Sequence, residues 1–222
     1  MSRQLSFVFL FVCTGPLLAQ SPSPTPGKTP APPAQRVHSS GAGFSYGLPA
    51  DWDVVESKSS SPDVQHQVEK QATSEAEKRG INCAQIVLTA RHGDPASMVV
   101  VVALPFDCFG EQLSEKDLLG FAQGASEGIT NSFDISEPVY GTYSLGSHSM
   151  WIERSKGSLK SEPELQYTVE TVCSVLKKGA VCWLAMAADK EGLATFEGGA
   201  VTLDGDAQPA LVPATAFEKK PS

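Results

Sequence analysis

The sequence predicts an α+β domain, a mainly antiparallel sheet flanked by helices on both faces. Three observations carry this. Residues 167–188, YTVETVCSVLKKGAVCWLAMAA, read as two long strands joined by a tight turn at Lys177-Lys178-Gly179. Residues 98–104, MVVVVAL, are apolar without alternation, as in a strand covered on both sides. Most neighbouring strand patterns are separated only by turn residues, with helix patterns between the groups.

The hairpin at residues 167–188 is the centre. Val169, Thr171, Cys173 and Val175 alternate on one face of its first arm, and the second arm is apolar on both faces. It and residues 98–104 therefore belong inside the sheet, and Val100, Val102, Leu184 and Met186 are expected to be nearly fully buried.

The other elements follow in order. Residues 43–49 and 51–56 are short strands around a turn at Pro49 and Asp51. Ser61, Pro62 and Asp63 open a helix with an N-cap, a first-turn proline and a first-turn acid. It runs to residue 79 and ends at Gly80. Its apolar stripe of Val64, Val68, Ala72 and Ala76 is thin, so it suits a surface. Residues 81–91 form a strand that turns at Gly93-Asp94-Pro95 into residues 98–104. Ser114 and Asp117 resemble a capping box before Leu118, Phe121, Ala122, Ala125 and Ile129, which recur at helical spacing. Gly120, Gly124 and Gly128 within that helix are expected to permit close packing. Strands follow at residues 138–145 and 149–155, a short helix at 190–196 and a last strand at 200–203. Residues 206–222 lack periodicity and are expected to form a disordered tail.

The two ends set the domain organisation. Residues 1–19 carry Arg3, an apolar run over residues 5–12 broken only by Ser6, then Pro16 and Ala19. This is the pattern of a secretory signal peptide cleaved between Ala19 and Gln20. The run is shorter than the roughly 20 residues of a membrane span. Cys13 follows Leu10-Phe11-Val12, which resembles a lipobox, but Val12 is bulky where a small residue is required. Residues 20–36 are rich in Pro, Ser and Thr and read as an extended linker. Residues 37–205 are then one domain.

Loss of residues 1–19 removes only Arg3, taking the net charge from −8 to −9. An acidic chain argues against nucleic acid or an anionic membrane as partner, and leaves a protein or envelope partner. Removal of Cys13 leaves Cys83, Cys108, Cys173 and Cys182. Four cysteines in an exported chain suggest two disulfides. Cys83 and Cys108 lie near the open ends of one hairpin and Cys173 and Cys182 across the other, so these are the expected pairs. For the second pair the turn decides. With Lys177-Lys178 as turn residues the cysteines stand directly opposite; with Lys178-Gly179 they are diagonal; with a bulged three-residue loop at Gly179 they point to opposite faces.

Residues 43–54 read Gly-Phe-x-Tyr-x-Leu-Pro-x-x-Trp-x-Val, which resembles the opening of PsbP-like domains. The later order of meandering strands, a long Lys-Gly hairpin, a short helix and a final strand is also similar. The resemblance spans residues 37–205 and implies an antiparallel sheet sandwiched by helices, in a family of mostly non-enzymatic accessory and binding proteins. It implies no catalytic residue. The helix at residues 61–79 and the four cysteines depart from that pattern.

Motifs of chemistry are weak. Gly43-Phe44-Ser45-Tyr46-Gly47 matches the G-x-S-x-G elbow, but that mechanism needs a helix immediately after the serine, and here another strand follows. His66 and Glu69 would need a histidine at 70, which is Lys70, to complete an inverted zinc signature. His38, His66, His92 and His148 share no metal-pair spacing and are expected on the surface. Trp52, Trp151 and Trp183 are expected in ring packing. No catalytic, cofactor or metal site is therefore assigned. The favoured reading is an exported accessory domain that binds rather than catalyses. A secreted hydrolase using Ser45 or an unrecognised site and a tethered structural protein of the envelope are the rivals.

Overall fold

A computed structural model describes residues 35–39, 41–55, 79–80, 82–130, 133–136 and 138–217. They belong to the compact unit Pro33–Ser222. The expected signal peptide, most of the linker and most of the helix at 61–79 lie outside the described residues.

The strands build two antiparallel sheets. The larger has the order β3(Asp53–Val55), β4(Gln85–His92), β5(Ser97–Pro105), β10(Gly179–Ala187), β9(Glu162–Val175), β8(His148–Leu159), β6(Phe133–Ile135), with β7(Val139–Leu145) also on β8. Its three central strands are β5, β10 and β9, so the two stretches read as doubly apolar do lie in its middle. The smaller sheet has the order β1(Gln35–Ser39), β2(Phe44–Pro49), β11(Val201–Leu203), β12(Asp206–Gln208). Three helices are described: α1(Phe106–Phe109), α2(Leu118–Thr130) and α3(Lys190–Glu197).

The small sheet corrects the expected layering. Phe44, Tyr46 and Leu48 of β2 alternate inward with Val201 and Leu203 of β11. They close on Val99, Val101, Val172, Val181 and Trp183 of the large sheet. One face of the large sheet is thus covered mainly by strands, with α3 beside them through Phe196. A second, separate sheet forms because β2 pairs with β11, whereas β3 pairs with β4. The other face carries α2, whose Leu118, Phe121, Ala122 and Ala125 pack on Trp151, Cys173, Cys182 and Leu184.

The layering also corrects the burial pattern. Val99, Val101 and Ala103, facing the small sheet, are fully buried. Val100, Val102 and Met186 face the other way and are only partly buried, while Leu184 is buried. The helix α2 lies mainly over β6, β8, β9 and β10, so Val100 and Val102 of β5 pack at its margin.

The C-terminus differs from the expected tail. Beyond Leu203 the chain adds β12 and then buries Leu211, Val212 and Ala216. Their apolar side chains are isolated, without the period that marks a strand or helix, yet they complete the core beside β2 and α3. Gly120 and Gly124 are exposed, and a Cβ on either would meet nothing within 4 Å, so close packing is not their role.

Both cysteine pairs fall at disulfide distance, Cys83–Cys108 with Cα atoms 5.6 Å apart and Cys173–Cys182 with 4.2 Å. In the second pair Cys182 is the register partner of Cys173, and Leu176 N–H donates to Gly179 C=O. Lys177-Lys178 are therefore the turn residues.

Candidate binding cleft and interlayer carboxylate

A cleft of about 450 Å³ opens at one end of the stacked sheets. Its walls are the exit of β2 (Pro49, Asp51, Trp52), the β4–β5 turn (residues 92–95) and the start of α3. Each wall is fixed locally. Trp52 N–H donates to Pro49 C=O, closing the turn that the proline and Asp51 predict. The buried Trp52 ring stacks on His92, centroids 5.6 Å apart at 19°. His92 Nε2 stands 3.4 Å from Asp51 Oδ2, in an exposed pair. Asp189 caps α3, its Oδ1 accepting from Gly192 N–H at 2.7 Å. Ser97 Oγ accepts from Ala188 N–H at 3.1 Å. A Cβ at Gly192 would collide with Ser97, so only glycine lets α3 seat this close to β5.

The lining is of one sign. Asp51, Asp94, Asp189 and Glu191 line the cleft with His92, and among the described residues neither lysine nor arginine does. The volume suits a small ligand or a short peptide segment, and the charge suits a cationic one. A serine, a histidine and an aspartate meet here, but not as a triad: Ser97 is buried and tied to Ala188. Among the described residues His92 makes its contacts to Trp52 and Asp51, with no hydroxyl in hydrogen-bond reach.

A second polar group lies between the sheets. Glu170 of β9 points toward the small sheet and is fully buried. Its cross-strand neighbour Arg154 of β8 donates Nε–H to Glu170 Oε2 at 2.5 Å, and its Nη2–H to Glu197 Oε1 of α3. The guanidinium sits 4.3 Å from the centroid of the Phe217 ring. Among the described residues no hydrogen-bond donor reaches Glu170 Oε1. Burial pushes the Glu170 carboxyl up to about 7; Arg154 opposes this and Glu197 adds to it.

The other sequence candidates separate. Ser45 sits inside β2, paired with Ser39 and Thr202 on its two sides. No helix follows it, so the elbow geometry is missing and the hydrolase reading at Ser45 fails. His66 and the signal-cleavage pair Ala19 and Gln20 lie outside the described residues, as does the side chain of His38. His92 lines the cleft. His148 is not a surface residue: it is 12% exposed, with Nε2 3.9 Å from Asp204 Oδ2, because the β11–β12 turn folds against it. Trp183 packs edge-on to Phe44 and Tyr46. Among the described residues no group of three or more His, Cys, Asp or Glu is arranged to hold a metal ion, and no helix is long and apolar enough to cross a membrane.

Sequence reasoning missed both sites. The cleft joins three turns that are distant in sequence. Glu170 carried a signal: it is the one charged residue in the stretch 167–176, on the face opposite Val169 and Thr171.

The sequence matches no protein-family model and no curated protein. The chain is similar to the solution structure of cyanobacterial PsbP (CyanoP) from Synechocystis sp. PCC 6803, over 77% of this chain and 89% of that one, at 10% identity and a TM-score of 0.39. That protein is of the family whose opening pattern residues 43–54 resemble.

Proposed function

We propose that this chain is an exported accessory domain that works by binding, and that the cleft between Trp52, the β4–β5 turn and α3 receives a basic segment of a protein or envelope partner. The observation that carries the reading is the cleft itself, walled by three turns and lined by carboxylates with neither lysine nor arginine among the described residues. Export is supported by the two cysteine pairs at disulfide distance, which persist in oxidising compartments, and by the leader pattern of residues 1–19. The location is then periplasmic or extracellular, with residues 20–34 as a tether, since Gln35 and Arg36 already belong to β1.

The test is a titration of residues 20–222 with an octalysine peptide and, separately, an octaglutamate peptide, followed by amide NMR shifts. Saturable shifts confined to residues 51–52, 92–97 and 188–195 with octalysine alone are expected. Shifts scattered over surface carboxylates elsewhere would remove the cleft from the account. For export, N-terminal sequencing of the secreted protein should begin at Gln20.

A further inference from the structure

Glu170 occupies an unusual place for an acid. It is in β9, at the middle of the large sheet, and among the described residues no donor reaches one of its oxygens. A buried carboxylate left half-satisfied is costly, and its nearest cation, Arg154, is shared with a second carboxylate, Glu197. With one of the two acids protonated the group is neutral. With both ionised it carries one uncompensated negative charge between the layers.

The two acids are held with unequal strength. Glu170 is anchored in a strand paired on both sides. Glu197 is the last residue of an eight-residue helix, where the carbonyl end of the dipole already disfavours an acid. That helix end also holds the C-terminal segment. Val212 N–H donates to Glu197 C=O at 2.9 Å, Tyr143 Oη–H donates to Leu211 C=O at 2.7 Å, and Phe217 lies under Arg154.

We propose that Arg154, Glu170 and Glu197 form a proton-operated latch, which holds the last turn of α3 and residues 211–217 on the sheet while one carboxyl is protonated and loosens them when both are ionised. Every element packed on Glu170 is consistent with this. From β8 come Arg154 and, two residues on, Lys156, whose Nζ is tied to Thr168 Oγ1 at 2.6 Å. From β7 comes Tyr143 and from β2 Tyr46, both phenols pushed well above their ordinary range by burial and then by Glu170. They stay neutral and add no charge. Glu197 is the acid contributed by α3. The position of the Glu170 carboxyl, raised to about 7, puts the change within the range met outside the cytoplasm.

The experiment is amide hydrogen exchange on residues 20–222 between about pH 5.5 and about pH 8.5, expressed as protection factors so that intrinsic exchange cancels, with the Glu170 carboxyl followed by ¹³C NMR. Protection at residues 193–197 and 211–217 should fall by about tenfold or more as Glu170 ionises. These segments should be less protected than β10 at every pH, because they open apart from it, and Glu170→Gln should keep all segments protected throughout. The latch is overturned if those segments are insensitive to pH, if they exchange with the same protection as β10 at every pH, or if Glu170→Gln shows the same fall. Should Glu170→Gln not fold, the wild-type profile decides: a midpoint more than about one pH unit from the carboxyl titration refutes the proposal.

Discussion

Glu170 is a fully buried acid whose protonation bears on the stability of the fold. Its folded-state pKa, about 7, is raised above the ordinary 4.5 mainly by burial. The folded protein therefore binds a proton more tightly than the unfolded chain. Its contribution is fully present below about pH 4.5 and is lost as pH rises to about 7. Glu170→Gln, which stays neutral, should be more stable than the wild type above pH 7, by up to about 3 kcal/mol. Below about pH 4.5 the two should unfold alike. Denaturant melts at both pH values check the sign. Arg154→Ala should be worse than either, because it leaves two acids without their cation; removing one partner of a buried pair costs about 3–5 kcal/mol.

At the scale of elements, the clearest outcomes concern α2 and the first disulfide. Gly120 and Gly124 are exposed, helical and open to a Cβ. Each change to alanine should stabilise by about 0.5–1 kcal/mol, read as a higher melting temperature. Replacing Cys83 and Cys108 by serine opens a loop spanning a sequence separation of 25 and should cost about 3 kcal/mol on the chain-entropy model. The elements were legible where period and punctuation agreed. The β9–β10 and β4–β5 hairpins follow from apolar pattern and turn residues, and α2 from its apolar period after Ser114 and Asp117. Short pieces were not legible: α1, β6 and β12 have three or four residues each, too few for a period, and they exist because their neighbours hold them. The same limit hid Leu211 and Val212, which are buried by tertiary contact alone.

At the scale of the molecule, the class of fold was readable but its layering was not. Alternation in residues 43–49 marks a strand with one apolar face, yet nothing local says whether that strand joins the main sheet or stacks on it. Stacking is what buries Val101 fully and leaves Val102 at the margin of α2. Val101→Asp should therefore abolish folding, since it places an unpaired charge between the two sheets. Val102→Asp should leave a folded but weakened protein. Circular dichroism melts of the two variants separate this layering from a sheet equally covered on both faces, for which both would fail. The cleft was beyond sequence reasoning for the same reason, since its three turns meet only once the sheets are stacked.

The most direct test of the account is the octalysine affinity of residues 20–222 carrying Asp94→Asn and Glu191→Gln, beside the wild type and a control carrying Glu115→Gln and Glu164→Gln. Both pairs remove two exposed carboxylates, but only the first pair lines the cleft. The account predicts that the cleft pair loses about 1 kcal/mol, roughly fivefold in Kd, at low ionic strength, while the control stays near the wild type. Equal weakening by the two pairs would contradict it, because the peptide would then be responding to net charge rather than to the cleft.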